Sequence, residues 1–265
     1  MYLFDPIQFK EFGYEFYEGP DFYYRYQTSK KLFKKHTYIP FGPNCETKQG
    51  FLNFLKHTNE LEKITIDLPM IYNPETKQEV IELLKKKGFK NIPYNHQDEE
   101  TIIIDKNDFR INTKLRNKIN HGHSVSQIII KEKLNEKELN DLYNIYLIAS
   151  KRINFVPKSI DIFKKMSESS LVSLCYKNNN LIGFVFGYVF NKILMIMFTA
   201  QSNEGRELRI GHAMHYDLFE KAFNEYNIDL IDFHGASRTK DRSYTSFKQE
   251  FSSNFVSLPG SFTRF

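Results

Sequence analysis

The 265-residue chain contains no tryptophan and only two cysteines, Cys45 and Cys175. Two thiols this far apart match no metal-ligand spacing and exclude a disulfide-rich scaffold. One bridge between them is conceivable, but two isolated thiols in a reducing compartment is the simpler expectation. Neither charge dominates: 37 Lys and Arg stand against 32 Asp and Glu, a formal net charge of +5. That balance permits a polyanionic partner without demanding one, because clustering on one face is what decides. Low-complexity segments and flexible linkers are missing, so the chain is expected to pack as one body. No apolar run is long enough to cross a membrane. The nearest candidate, 181–198, is broken at Asn191 and Lys192, whereas a spanning helix needs about 20 apolar residues. Its flanks are rich in Val, Ile and Phe and read as two strands joined at that break. Met1–Phe12 carries Asp5, Lys10 and Glu11 and lacks the basic start and apolar run of a signal peptide. A soluble cytoplasmic protein is the expectation.

What is present is a globular composition, 41% hydrophobic and 26% charged, with 25 Phe and 16 Tyr. These aromatics predict a large core whose tyrosine hydroxyls face its polar edge. Phe51, Phe54, Leu55 and Thr58 recur at helical spacing within 46–58. Alternation at Ile64, Ile66 and Leu68 marks a strand. Asn73-Pro74-Glu75 supplies a helix cap, a first-turn proline and an early acid. That helix stops at Gly88 after three lysines, and 101–104 is another strand.

From residue 124 onward the pattern is strand (124–130), helix (Leu139, Leu142, Tyr143, Tyr146, Leu147) and three strands (171–176, 181–190, 193–200). A helix bearing Met214, Leu218, Ala222 and Phe223 follows, then a strand (228–233), a short helix (244–250) and a last strand near 254–258. This predicts a mixed α/β fold with largely antiparallel sheets. The order is that of the GNAT acyltransferase fold.

Several motifs occur in the order found in the Fem family. Tyr38-Ile39-Pro40-Phe41-Gly42-Pro43 resembles that family's proline-and-glycine segment after an early strand. Lys87-Gly88-Phe89, followed by Gln97, Thr101 and Asp105, is similar to its passage from a lysine-rich helix to a strand ending in aspartate. Lys114-Leu115-Arg116-Asn117-Lys118-Ile119 resembles the basic helix opening its second subdomain, and Arg152 and Phe155 its Arg-x-x-Phe. Ile231-Asp232-Phe233-His234-Gly235 and Phe247-Lys248-Gln249-Glu250-Phe251 are similar to its Asp-Phe-x-Gly and Phe-Lys-x-x-Phe-Gly. The chain departs from the pattern at Ser252, where the family has glycine, and it lacks an inserted helical arm. The resemblance spans about residues 36–258 and implies two GNAT-like subdomains, a degenerate one at 1–108 and a second at 109–265. It also implies transfer of an amino acid from aminoacyl-tRNA to an amine of a peptidoglycan precursor. No cofactor or metal is expected, and a lipid-linked acceptor would bring peripheral membrane contact.

Such transfer passes through a tetrahedral oxyanion and needs a positive group nearby. By the resemblance, Phe247 and Lys248 serve the donor's 3′ end and the transition state; without it they are a core Phe beside a surface Lys. Asp232, His234 and Gly235 end a buried strand, where ligands sit in open α/β sheets. They are either a proton-handling site or a plain turn. Arg110, Lys114, Arg116 and Lys118 would hold phosphates or form a solvated face. Arg152 with Phe155 would line the acceptor cleft or form a buried ion pair. His212 and His215 share one helix and read as surface or interface groups. The competing donor is acyl-coenzyme A, whose pyrophosphate loop needs Arg or Gln where Leu208 stands, although Gly211 and Ala213 are correctly spaced. A non-catalytic GNAT-fold binding module is the third class.

Overall fold

The computed structural model describes residues 15–31, 34–40, 42–45, 47–68, 71, 74–92, 100–190, 192–238 and 243–265. Met1–Phe12, Phe41, Glu46, Asn73, Gln97 and Asn191, all used above, lie outside the described residues. The chain divides into two compact units, residues up to Thr101 together with Val256–Phe265, and Ile102–Phe255. The sequence division at 108/109 gave the whole C-terminal part to the second half. The last strand explains the difference, because it returns to the first unit's sheet.

The first unit is a mixed sheet built from β1 (Glu15–Gly19), β2 (Phe22–Lys31), β3 (Lys34–Ile39), β4 (Asn44–Cys45), β5 (Lys63–Asp67) and β6 (Lys90–Ile92), joined by the late strand β14 (Ser261–Arg264). Its order is β1-β2-β3-β5-β14-β6, with β4 on β2. β14 runs antiparallel to both β5 and β6, with Phe262 opposite Ile66 and Asn91. Two helices, α1 (Lys48–His57) and α2 (Pro74–Lys86), supply Phe51, Phe54, Leu55, Val80 and Leu84 to a core shared with Ile64, Ile66 and Phe262. Thr47 caps α1 by accepting from Gly50 N, and Gly88 takes the left-handed φ of 80° that ends the α2 region.

The second unit has the sheet order β13-β7-β12-β11-β10-β9-β8. Its strands are β7 (Glu100–Asp105), β8 (Gln127–Lys131), β9 (Ser170–Lys177), β10 (Asn180–Phe190), β11 (Ile193–Gln201), β12 (Leu230–Asp232) and β13 (Phe255–Ser257). The strands expected on either side of the break at Asn191-Lys192 are β10 and β11, which pair antiparallel, and Lys192 has a positive φ of 63°. Around this sheet lie α3 (Thr113–Val125), α4 (Glu136–Ile153), α5 (Ile160–Met166), α6 (Asn203–Glu207), α7 (Gly211–Glu225) and α8 (Ser243–Gln249). The strand expected at 124–130 starts later, because α3 runs on through Val125 under the cap that Asn112 gives Leu115 N. Asn135 and Glu138 form a reciprocal capping box on α4.

Two cores result. Leu115 and Ile119 of α3 and Met214, Leu218, Phe219 and Phe223 of α7 pack with Ile102, Ile104, Val185, Leu194 and Ile231 of the sheet. Tyr146 of α4 and Phe163 of α5 form a second group with Phe184, Phe186 and Phe198, Phe163 and Phe198 lying 4.5 Å apart. Both cysteines are free and buried, and burial pushes the Cys45 thiol up to about 12 and the Cys175 thiol to about 11. No described helix is long and apolar enough to cross a membrane.

α3 packs closely on α7. A Cβ added at Gly122 would lie 2.5 Å from the Ala213 Cβ. Gly122→Leu should therefore lower unfolding free energy by about 1–3 kcal/mol, the usual cost of overpacking. Asn120→Ala, on the exposed face of the same helix, should stay within about 0.5 kcal/mol of wild type. Urea denaturation of both variants measures the contrast.

Candidate functional site

The sheet of the second unit opens in the middle. β12 pairs parallel with β11 only over Ile193–Met195 and Leu230–Asp232. β11 then continues to Gln201, while the chain after Asp232 turns away. The turn follows from local chemistry. The buried Asp232 carboxylate accepts from His234 N at 2.8 Å, and His234 and Gly235 both adopt positive φ, 52° and 95°. Lys248, half-buried on α8, donates to the carbonyls of Phe233, at 2.9 Å, and Gly235. Its ammonium also lies 4.9 Å above the Tyr244 ring. The ammonium thus stands at the end of the predicted strand and braces the turn there. Ser252 uses the hydroxyl a glycine would lack: Oγ donates to Ile103 O at 2.8 Å and accepts from Asn254 N.

The other strand end is held by Arg152. Its guanidinium donates twice to Gln201 O, at 3.1 and 3.2 Å, and once to Asn203 Oδ1. Among the described residues its partners are these carbonyl oxygens and not an acid. Phe155 is partly exposed and packs against Tyr146 at 5.4 Å.

A pocket of about 580 Å³ lies at the start of α7. α3 contributes Asn117, Lys118 and His121; Gln201 comes from β11; Arg206 and Arg209 come from α6 and the turn after it; Gly211, His212 and Phe247 complete the wall. Arg209 takes a left-handed φ of 54° between the two helices. Among the described residues no side chain caps α7, so its first amides remain directed toward this end. Gly211 is required by crowding: a Cβ there would meet Gln201 Nε2 at 2.9 Å. Leu208 packs against the core below.

Lys118 ion-pairs with Glu250. The Glu250 site is partly desolvated, which works against ionisation, but the hydrogen bond from Lys118 and the charges of His212, Lys118 and Lys114 hold its carboxyl below the usual range. The basic cluster therefore divides. Lys118 lines the pocket and Lys114 acts on Glu250, whereas Arg116 acts on Tyr216 and Arg110 donates to its neighbour's carbonyl, Phe109 O.

The two histidines are not surface groups. His215 is 3% exposed, packed edge-on against Phe247 at 4.9 Å, with its Nδ1–H donating to Gly211 O at 2.7 Å. Burial lowers its pKa to about 4, opposed by the Gly211 bond. His212 sits between Phe247, at 4.7 Å, and Phe251, at 5.9 Å. The amphipathic spacing of α7 put both near the core edge, and the aromatic triplet Phe247, Phe251 and Phe233 was the signal that they would be covered. Arg206, Gln201 and His121 carried no motif and were found only by the fold. Among the described residues no cluster of His, Cys, Asp and Glu could hold a metal ion.

No family model and no curated protein matches the chain. Solved structures do. FemX superposes with a TM-score of 0.76 at 15% identity, over 97% of this chain and 89% of that one. The C-terminal domain of a putative lysylphosphatidylglycerol synthetase from Agrobacterium fabrum gives 0.69 at 11%, over 92% and 80%. The L-PGS structure from Bacillus licheniformis gives 0.67 at 12%, over 94% and 83%. The chain has a Fem-type, GNAT-like fold. The open sheet centre and the start of α7 fall in one unit.

His215 makes a pH prediction. Its neutral form is favoured by folding, so between about pH 6.5 and pH 4 the unfolded chain binds a proton that the folded chain does not. Stability contributed by the neutral ring is present above pH 6.5 and is lost as pH falls toward 4, by about 3 kcal/mol. Urea midpoints at pH 7, 5.5 and 4 should fall in that order, and His215→Gln should flatten the trend.

Proposed function

We propose that the chain is an aminoacyltransferase that takes an amino acid from the 3′ end of aminoacyl-tRNA and passes it to an amine of a peptidoglycan-precursor peptide. The observation that carries the reading is the pocket at the start of α7. It joins Lys118, Arg206 and Arg209 to the Phe247 ring and to uncapped helix amides. Cations and amides suit phosphates, and an aromatic wall suits a nucleotide base. The Fem-type fold and the motif resemblance support the class of reaction. One of the similar structures is named as the C-terminal domain of a putative lysylphosphatidylglycerol synthetase.

In this reading the acceptor amine attacks the ester carbonyl of the donor. Negative charge gathers on the carbonyl oxygen, and Lys248 and the turn at Asp232, His234 and Gly235 supply the positive field and rigid backbone beside the open strand ends. Lys114 and Arg116 extend the positive surface of α3 for the donor's phosphates, and Arg152 and Phe155 shape the acceptor side. A lipid-linked acceptor would bring the chain to a membrane surface. The acyl-coenzyme A reading is favoured by one observation, the correct spacing of Gly211 and Ala213 at an uncapped helix start. Leu208 weighs against it, because it packs into the core where that loop needs a pyrophosphate-facing Arg or Gln.

Two measurements test the choice of donor. Filter binding of a 3′-aminoacylated acceptor-stem minihelix should weaken steeply with salt. Arg206→Ala with Arg209→Ala should reduce the slope of log K against log salt by about 2. Acetyl-coenzyme A binding at micromolar concentrations, abolished by Gly211→Val, would reverse the assignment. Lys248→Met should lower the rate of transfer by about two to three orders of magnitude, the cost of losing one preorganised positive group.

A further inference from the structure

The pocket wall holds an acid–base pair that the reading above does not use. His212 reaches the pocket from the first turn of α7, and Phe247 and Phe251 hold its ring on two sides. Its Nε2 is buried with no hydrogen-bond partner among the described residues. The nearest polar atom recorded for it is Glu250 Oε2, 3.4 Å away and out of line for a formed bond. A buried imidazole nitrogen left this way is costly unless a small movement closes the contact. Hydrogen bonds of catalytic pairs are often long before substrate binds and shorten in the complex. Among the described residues the other ring nitrogen, Nδ1, has no recorded hydrogen bond and is not a buried unpaired atom, and His212 lines the pocket.

Resting on the aminoacyl-transfer reading, we propose that His212 is the proton acceptor for the attacking amine, with Glu250 as its positioning residue. Glu250 accepts from Nε2–H, which fixes the tautomer and leaves the Nδ1 lone pair facing the pocket. Lys118 holds the Glu250 carboxylate ionised for this role. In the transfer step the amine nitrogen bonds to the donor's carbonyl carbon and gives a proton to Nδ1. The carbon–oxygen bond to the ribose then breaks, and Nδ1 returns that proton to the leaving ribose oxygen. The sum is one amide or peptide bond formed, one ester bond broken and no net proton change on the protein.

The surroundings keep the imidazole ready to accept. Burial lowers the His212 pKa from its ordinary value; Glu250 works against that and Lys118 with it. Arg206, Arg209 and His121 line the same pocket, and His215 lies about one turn further along α7. A neutral ring at pH 7 is what a base requires.

The test uses the whole chain, an aminoacyl-tRNA and a soluble precursor peptide bearing a free amine. Single-turnover transfer by wild type should rise with pH along a limb below about pH 6.5 and then level off. His212→Gln should slow the chemical step by about 10²- to 10⁴-fold and remove that limb, with tRNA binding kept within about twofold. Glu250→Gln should slow transfer less and move the limb to lower pH, because the carboxylate that favours the charged ring is gone. NMR titration of the His212 ring reads that movement without activity, and serves if His212→Gln does not fold. A His212→Gln variant with normal rate and normal pH profile, or a His212 titration that Glu250→Gln leaves unmoved, overturns the pair while leaving the donor reading intact. A wild type that transfers from no aminoacyl-tRNA overturns the donor reading first, and this inference with it.

Discussion

The parallel contact between β11 and β12 stops after Met195 and Asp232, and the site depends on that stop. Sheets are held by their ladders, so two strands that part leave carbonyls and amides needing other partners. The chain meets the need with cations. Arg152 takes the carbonyl of Gln201 at one strand end, and Lys248 takes those of Phe233 and Gly235 at the other. Charge-assisted bonds of this kind are roughly twice as strong as neutral ones, which suits them to hold open an edge the ladder does not close. Both residues were singled out from sequence as substrate or catalytic groups. Their geometry shows each anchoring backbone first, and any role toward substrate is exercised from that fixed position.

The same opening sets the electrostatics. Lys118, Arg206 and Arg209 surround the start of α7, where the helix dipole adds a partial positive charge. Glu250 is the acid that meets this group, and its pairing with Lys118 keeps it ionised. Histidines placed among such charges and covered by Phe247 and Phe251 lose their tendency to protonate. The result is a pocket rich in positive charge beside imidazoles whose protonation burial disfavours.

Much of the second unit was readable because its signals are local. Apolar spacing over 211–225 and the break at Lys192 follow from rules that act within a few residues. The first unit was harder. Phe22 and Tyr24 are buried while Tyr23 between them is half-buried. Tyrosine tolerates both environments, so alternation along β2 is blurred. β14 was missed because Ser261–Arg264 is short and finds its partners, β5 and β6, far back in the chain. Phe247-Lys248 and Asp232–Gly235 stand out in the sequence as motifs, whereas Arg206 and Gln201 carry no local signal and reach α7 only once α6 and β11 bring them there. His215 was misplaced because a histidine one turn into a helix looks exposed until the aromatic residues of another segment cover it.

The most direct test of the account is mass analysis of a free-amine precursor peptide after incubation with the purified chain and a pool of aminoacyl-tRNAs, without coenzyme A. The account predicts peptide heavier by one amino-acid residue, formed only when the tRNA is charged. Unchanged peptide under these conditions, together with acyl-peptide formed from acyl-coenzyme A alone, would contradict it.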